Sequence, residues 1–326
     1  MDHLEHTSEG RLLHALSDGR FHSGTALGAA LGLTRAGVGR ALARLRARGL
    51  PVEAVRGRGY RIPGGYEPLV ARELLARWHG AGLRPLPAAL RVEFFPGSTN
   101  DLALQAPERG ISVVLAEGQR AGRGRLGRSW LSPLGGLYCS LACDFDALPE
   151  PPAPLALGAA VALAVALRAR GIEVMVKWPN DLLIAGHKVG GILTELRGEP
   201  QGPCRIVVGV GLNLRPPGGA AHLGAEPGTL LAADAAQGMR NQLAGDAVLA
   251  VASAAARFQA EGVAPLLAGW EALDALRGQR LWLACGPRTV IGTACGIDAS
   301  GRLRLHTEAG YETFSSGEAQ LIPEHG

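Results

Sequence analysis

The segment that most narrows the choice of fold is Glu117–Trp130, EGQRAGRGRLGRSW, directly behind the apolar run ISVVLAE at 111–117. Gly122, Gly124 and Gly127 satisfy G-x-G-x-x-G, the fingerprint that opens the first helix of a dinucleotide-binding fold. Such a helix cannot start here, because the residues behind, SWLSPLGG, carry Pro133, Gly135 and Gly136. The run is therefore a strand feeding a flexible loop. Arg120, Arg123, Arg125 and Arg128 give that loop planar donors for phosphate or carboxylate. Its glycines let the backbone fold closely over a ligand, and Trp130 offers an aromatic face for a flat group. A solvated Gly/Arg loop is the plain alternative. No G-x-x-x-x-G-K-[ST] run exists, so any nucleotide is held without a P-loop.

A second constraint is compositional. Lys177 and Lys188 are the only lysines, against 31 arginines, and both lie in KWPNDLLIAGHKVGGILTE at 177–195. Arginine cannot stand in where a compact ammonium is required, so this segment is a functional candidate. Gly190-Gly191 would allow close approach of a ligand. His187 reads as a loop residue. The nine His and five Cys show no metal-ligand spacing, and the cysteines read as free core thiols.

Residues 10–17, 24–31 and 35–48 have helical spacing, with Gly32-Leu33-Thr34 as a turn and Thr34 as an N-cap. LPVEAVRGRGYRIP then reads as two extended runs around Gly57-Arg58-Gly59. This order predicts a winged helix-turn-helix at 1–64. Residues 1–62 hold ten arginines against five acidic residues, while the rest of the chain holds 23 basic against 24 acidic. The basic excess is thus confined to the module expected to meet DNA phosphates, with Arg35, Arg40, Arg44, Arg46, Arg56, Arg58 and Arg61 as contacts. Gly37 and Gly39 soften the recognition helix.

Pro63-Gly64-Gly65 marks a linker. Residues 70–276 read as a mixed α/β (α+β) domain: strands at 111–117, 137–145, 173–178, 181–185, 188–196 and 205–212, and helices at 154–170, 241–260 and 263–276. Residues 216–228 read as a surface loop. From 277 to 326 short strands with glycine turns suggest a small β-barrel. The first ten residues lack an apolar signal core and no run is long enough to span a bilayer, so a cytoplasmic protein without membrane association is expected.

Ser98-Thr99-Asn100, GRGRLGR with Trp130, KWPNDL and KVGGIL, and VVGVGLNL (207–214), in this order, resemble the motifs of the bifunctional biotin–protein ligase/biotin operon repressor family. The resemblance covers essentially the whole chain. It implies a central domain like that of class II aminoacyl-tRNA synthetases and an SH3-like C-terminal barrel. It implies biotin binding by Ser98, Thr99, Asn100, Gln119, Arg123, Gly124, Arg125 and Lys188, and nucleotide binding by Arg125, Arg128, Trp130, Asn180, Lys188 and Asn213. ATP, biotin and Mg²⁺ would be used, with no dedicated protein metal site. A biotin carboxyl carrier protein, operator DNA and a second copy of the chain would be the partners. DNA contacts would fall on Thr34, Arg35, Arg40, Arg44 and Arg58. Two departures stand out: Leu126 replaces an arginine of some relatives, and LSPLGGLY is one residue shorter than in some.

In the implied chemistry the acid is already ionised, so the first step needs positive charge rather than a base. Lys188, Arg125 and Mg²⁺ are the candidates to supply it, and Asp181 is the candidate helper for the acceptor amine. Three other readings stay open at this point: a ligase whose N-terminal domain no longer reads DNA, a sensor without catalysis, and a lipoate ligase.

Overall fold

The computed structural model describes residues 7–82, 87–214, 228–230 and 238–322; the stretch expected as a surface loop, 216–228, falls outside them except for Gly228. The N-terminal module forms as expected. Thr7, Ser23 and Thr34 each accept a bond from the backbone N–H three residues on and so start α1 (Ser8–Ala15), α2 (Gly24–Leu31) and α3 (Arg35–Ala47). Gly32, at φ +65°, ends α2 in the left-handed region and lets the chain turn into α3. Leu12, Leu13, Leu16, Leu27, Val38, Leu42 and Leu45 are buried where the three helices meet. Burial of each contributes about 1.5–3 kcal/mol, more than the glycines in α3 cost. β1 (Glu53–Val55) and β2 (Gly59–Arg61) pair antiparallel as the wing.

Behind the linker, α4 (Ala71–Gly80) was not foreseen. Only Leu74 and Trp78 are buried in it, a two-residue stripe too short to stand out in the sequence. The central sheet has seven strands in the order β3-β4-β5-β9-β8-β7-β6. These are β3 (Ala89–Glu93), β4 (Ser112–Ala116), β5 (Leu137–Phe145), β6 (Met175–Lys177), β7 (Asp181–Ile184), β8 (His187–Gly198) and β9 (Cys204–Leu212). Only β3 and β4 run parallel, so the sheet is mixed, as expected. Val113, Leu115, Leu141 and Val208 face the core built with α6 (Leu155–Arg168) and α7 (Arg240–Glu261). Val114, Ala142 and Val207 alternate to the other face, under the short α5 (Thr99–Leu104).

Two expectations are corrected. Residues 263–276 are not one helix: Pro265 and Gly269, the latter at φ +87°, break them into tight turns at Ala264–Leu267 and Trp270–Ala272. The C-terminal strands β10 (Arg280–Cys285), β11 (Arg288–Ile297), β12 (Leu303–Thr307), β13 (Gly310–Phe314) and β14 (Glu318–Leu321) make an antiparallel sheet in the order β13-β12-β11-β10-β14. Its edge strands do not hydrogen-bond to each other, so it is not a closed barrel. β14 instead turns toward the central domain, where Glu318 pairs with Arg128.

Candidate functional site

The strand order brings the sequence motifs to one end of the central sheet. β3 leads into α5, β4 leads into the Gly/Arg loop, β6 turns into β7 at Trp178-Pro179-Asn180, β8 begins beside Lys188, and β9 ends at Asn213. Between them opens a cleft of about 960 Å³, closed on its far side by residues 274–279 and 317–321. Ser98, Thr99, Asn100, Gln119, Arg123, Gly124, Arg125, Arg128, Trp130, Asn180, Asp181, Lys188 and Asn213 all line it. The structure thus brings together every non-DNA site residue expected from the sequence, although they span more than a hundred positions.

The floor of the cleft is a polar chain built on α5. The backbone N–H of Thr99 donates to Gln119 Oε1 at 2.8 Å and its hydroxyl lies 3.1 Å from the same oxygen. Gln119 Nε2 donates to Ser132 Oγ at 3.0 Å. Ser140 Oγ sits 2.7 Å from Thr99 Oγ1 and 2.6 Å from Asn100 Oδ1, and Asn100 Nδ2 donates to Glu195 at 2.5 Å. Ser98, Thr99, Asn100 and Ser140 are buried, so these groups must be paired with one another or with a ligand. Gly209 leaves the space that Asn100 occupies.

Lys188 enters from β8. Its Nζ lies 2.7 Å from Asp181 Oδ1 and 5.1 Å from the centroid of Trp130. Gly211 makes room for Trp130, whose indole N–H is buried without a partner among the described residues. Asn180 is committed to the backbone, donating to Ile192 O at 2.7 Å, and Asn213 donates to Gly228 O at 3.4 Å. One expectation about the glycines changes: Gly190 lies against Leu212 and the Gly211 carbonyl, so its small size serves strand packing, while Gly191 faces the cleft near Lys188 and Asp181.

The loop closes over this floor. Gln119, Arg120, Ala121, Gly124 and Trp130 are held by backbone bonds to Ser132, Pro96, Gly97, Arg128 and Gly122. Its tip is a single tight turn in which Leu126 takes φ +56° and is 81% exposed, an uncommon conformation for a residue with a side chain. The lid arginines have separate partners. Arg123 pairs with Asp101 and Glu195, Arg125 donates to the Gly317 carbonyl at 3.3 Å, and Arg128 pairs with Glu318. Burial lowers the Arg125 pKa, opposed by Asp181 and Glu318. The Arg128 guanidinium holds the Glu318 carboxyl below the usual range.

Beneath the lid's root lies a group that sequence reasoning missed. Glu117 is fully buried; it accepts from Tyr66 Oη at 2.6 Å and Leu69 N at 2.8 Å, and it pairs with the buried Arg240. Burial alone would lower the Arg240 pKa, but the Glu117 charge raises it. Linker, β4 and α7 meet at this one ion pair. Asp101, Ser132, Ser140, Glu195, Gly209, Gly211, Glu318 and Asp274 were also missed as site residues. Glu195 and the two β9 glycines stand inside motifs singled out from the sequence. Ser140 is a buried polar residue inside the apolar run Leu137–Cys143, so the signal was present for these. Asp274 and Glu318 carry no local signal: the turns that follow α7 bring Asp274 to the cleft beside β6, and the C-terminal sheet brings Glu318. Burial raises the pKa of Asp274, which accepts from Trp270 Nε1 and Leu276 N.

On the N-terminal module Thr34, Arg35, Arg40, Arg44 and Arg58 share the exposed surface. Thr34 Oγ1 is occupied by the cap bond from Gly37 N at 3.1 Å. Arg35 and Arg40 project from α3, and Arg58 on the wing stacks 4.1 Å from Phe21. Arg44 is drawn to Glu9, Arg46 donates to the Val52 carbonyl, and Arg61 pairs with Glu53. The end of α3 also touches the central domain, where the Arg48 guanidinium stacks on Phe95 at 4.6 Å and the Arg48 backbone carbonyl accepts from Leu134 N–H.

Comparison with known proteins agrees with this anatomy. Residues 97–213 match the Biotin/lipoate A/B protein ligase family, 11–61 an HTH domain and 284–321 the Biotin protein ligase C terminal domain. The chain is 33% identical over 316 residues to the bifunctional ligase/repressor BirA of Escherichia coli, covering 95% of this chain and 96% of that protein. It is 36% identical over 232 residues to the biotin–[acetyl-CoA-carboxylase] ligase of Paracoccus denitrificans, covering 68% of this chain and 95% of that one. The fold is shared with the Aquifex aeolicus biotin protein ligase solved with biotin and ATP, at a TM-score of 0.62 and 24% identity over 73% of this chain and 100% of that one.

Proposed function

The chain belongs to the bifunctional biotin–protein ligase/repressor family, and from that premise we propose that it joins biotin to ATP in the described cleft and passes it to a lysine of a carboxyl carrier protein. One observation carries the choice of substrate. The buried end of the cleft is a polar floor of Thr99, Asn100, Gln119 and Ser140, while Lys188 stands beside Asp181 and Trp130, and Arg125 lies against the Gly317 carbonyl of the C-terminal sheet. That polarity suits an acid with a neutral hydrogen-bonding head and a distant carboxylate. A ureido ring fits it. The dithiolane of lipoate offers these groups no comparable donor or acceptor, so it would bury the polar floor without adding a hydrogen bond to it.

The carboxylate is ionised at neutral pH and attacks the α-phosphorus of ATP directly. A P–O bond forms, the bond to the β-phosphate oxygen breaks, and pyrophosphate leaves. Lys188 and Arg125 offset the charge that builds on the α-phosphoryl oxygens. Trp130, Arg128, Asn180 and Asn213 bound the nucleotide side, and the lid keeps water from the mixed anhydride. The acceptor amine then attacks the carbonyl carbon and AMP leaves, with Asp181 the candidate group to take the amine proton. Asp181 is paired with Lys188, so that role requires the pair to part.

Mg²⁺ would arrive with the nucleotide. Among the described residues no three metal-ligating side chains cluster, and Asp181, Asp274 and Glu318 each already have partners. An ion held chiefly by phosphates, screening charge on them, fits that donor set. We draw the units as 1–64 (DNA binding), 70–276 (ligase) and 277–326 (C-terminal sheet), working in the cytoplasm and as a homodimer on paired half-sites. The exposed Arg35, Arg40 and Arg58 support DNA binding. Among the described residues no helix is long and apolar enough to cross a membrane.

The test is transfer of labelled biotin to a carboxyl carrier domain with and without ATP, with lipoate in a parallel arm. ATP-dependent labelling by biotin alone is expected. Labelling by lipoate, or none by biotin, overturns the reading. A gel shift on the chain's own promoter region, with biotin and ATP, tests DNA binding separately, and no shift leaves a ligase only.

A further inference from the structure

α5 brings Thr99 and Asn100 to the floor of the cleft, yet little in the helix itself holds it. It is six residues long, too short to be stable alone, and Ser98 gives it no side-chain cap. Its apolar contact is Ala103 on Val114, Ala142 and Val207, with Leu102 and Leu104 partly buried. A helix end also leaves its last carbonyls without partners. Here one guanidinium collects carbonyls from that end and from the chain behind it. Arg205, near the start of β9, donates from Nη1 to the Ala103 carbonyl at 3.4 Å and to that of Ala106, and from Nη2 to that of Glu108 at 2.7 Å. Its Nε and Nη2 also meet the two oxygens of Asp144 on β5, each at 2.8 Å, and Asp144 accepts from Gly110 N at 2.9 Å. Arg197, opposite Arg205 on β8, lies 3.5 Å from the Leu104 carbonyl. The Arg205 side chain is 12% exposed, so water competes little for these bonds, and its charge suits the C-terminal pole of a helix.

Alternate residues of a strand share a face. On one face of β9 stand Arg205 at the C-terminal end of α5, Val207 beneath Ala103, and Gly209, which leaves the space Asn100 fills. Arg205 and Gly209 are about 13 Å apart along the strand, and α5 is about 9 Å long. One strand thus grips the helix at both ends. We propose that Arg205, with Asp144 as its counter-ion, is a positioning residue for the acid site: it sets α5 lengthwise on β9 so that Asn100 seats over Gly209 and reaches Ser140 and Glu195. Arg205 does not line the cleft, so it acts only through α5. Trp130, Asn180, Lys188 and Asn213 sit on other elements, so loss of Arg205 should disturb the acid end and spare the nucleotide end. That the floor receives biotin rests on the proposed ligase reading; the seating of α5 does not.

The full-length protein is compared with its R205M, R205K and D144N variants in two measurements. In adenylate formation R205M should raise the KM for biotin about tenfold, as expected from losing one or two charge-assisted bonds, with kcat and the KM for ATP within about twofold of the parent. R205K keeps the charge and can reach Asp144 or one carbonyl, so it should recover part of the loss. D144N should show the smaller effect, because the carbonyl bonds remain. In hydrogen exchange read by mass, amides of 99–106 should exchange about tenfold faster in R205M, with those of 137–142 and 207–212 unchanged. Circular dichroism and the unfolding midpoint identify a variant that has lost its fold; if R205M has, R205K and D144N decide by the same criteria. A parent-like KM for biotin in a folded variant overturns the proposal, and so does parent-like exchange at 99–106. A rise in both KM values with a fall in kcat also overturns it, since Arg205 would then support the domain at large. A parent that makes no adenylate but shows the Arg205-dependent exchange overturns the ligase reading and leaves the seating of α5 supported.

Discussion

Two segments of this chain are written in nearly the same letters and have opposite structures. RAGVGRALARLRAR at 35–48 is a helix and its cap, while QRAGRGRLGRSW at 119–130 is a lid with one tight turn. Both are rich in glycine and arginine. The helix returns an apolar residue every third or fourth position, and Val38, Ala41, Leu42 and Leu45 are buried. That stripe outweighs two glycines costing about 1 kcal/mol each. The lid has no such stripe. Its shape comes from backbone bonds to the 96–97 and 132 segments and from ion pairs at Arg123 and Arg128. Arginine accordingly flanks a buried apolar stripe in one segment, exposed at Arg35 and Arg40 and partnered at Arg44, Arg46 and Arg48, whereas in the other its pairs at Arg123 and Arg128 help to set the shape itself. Composition alone cannot tell these roles apart; the spacing of apolar residues can.

The largest effect that would sharpen this contrast lies under the lid. Lys188→Ala should slow adenylate formation by about 10²–10³, the cost of removing one donor at developing charge, and Arg125→Ala by about 10². Lys177→Ala should lose less than tenfold. Equal losses at the two lysines, measured by pyrophosphate release, would deny Lys188 its charge-stabilising role. Arginines of the helix should behave differently: Arg40→Ala or Arg58→Ala should weaken DNA binding about fivefold and reduce the salt dependence by about one ion, with adenylate formation unaffected.

Glycine substitutions give the next effect, with opposite signs in the two segments. Gly39 is helical with open space around it, so Gly39→Ala should stabilise the N-terminal module by about 1 kcal/mol in urea unfolding. Gly127 sits at φ +72°, so Gly127→Ala should cost the lid tip about 1 kcal/mol and speed its proteolysis. The same sign at both sites would break the comparison. The smallest effect concerns pH. Arg128 lowers the Glu318 pKa in the folded chain, so the contact is fully favourable above the ordinary Glu value of about 4.3 and is lost as pH falls through the lowered one. A fluorophore on the lid should report a step there, absent in Glu318→Gln. Because Arg128 is largely exposed, the step should be small.

Much of the molecule was legible in residue order. Capping residues and apolar spacing located α1 to α3, and alternation located the long strands. The lysine pair, the lid and Ser98-Thr99-Asn100 each announced themselves as local motifs, and the cleft gathers them all. What local pattern could not reveal was who pairs with whom. Nothing near Asp101, Glu195, Glu117 or Arg240 in the sequence names their partners, and they join the Arg123 network and the buried Glu117–Arg240 anchor only through contacts across 22 to 123 positions. The C-terminal strands likewise gave their own existence but not their open edges, nor the reach of Glu318 to Arg128. Backbone preference and apolar periodicity act over a few residues and are written locally. Charge pairing and strand closure depend on which distant segments the packed core brings within a few ångströms, and only the tertiary structure decides that.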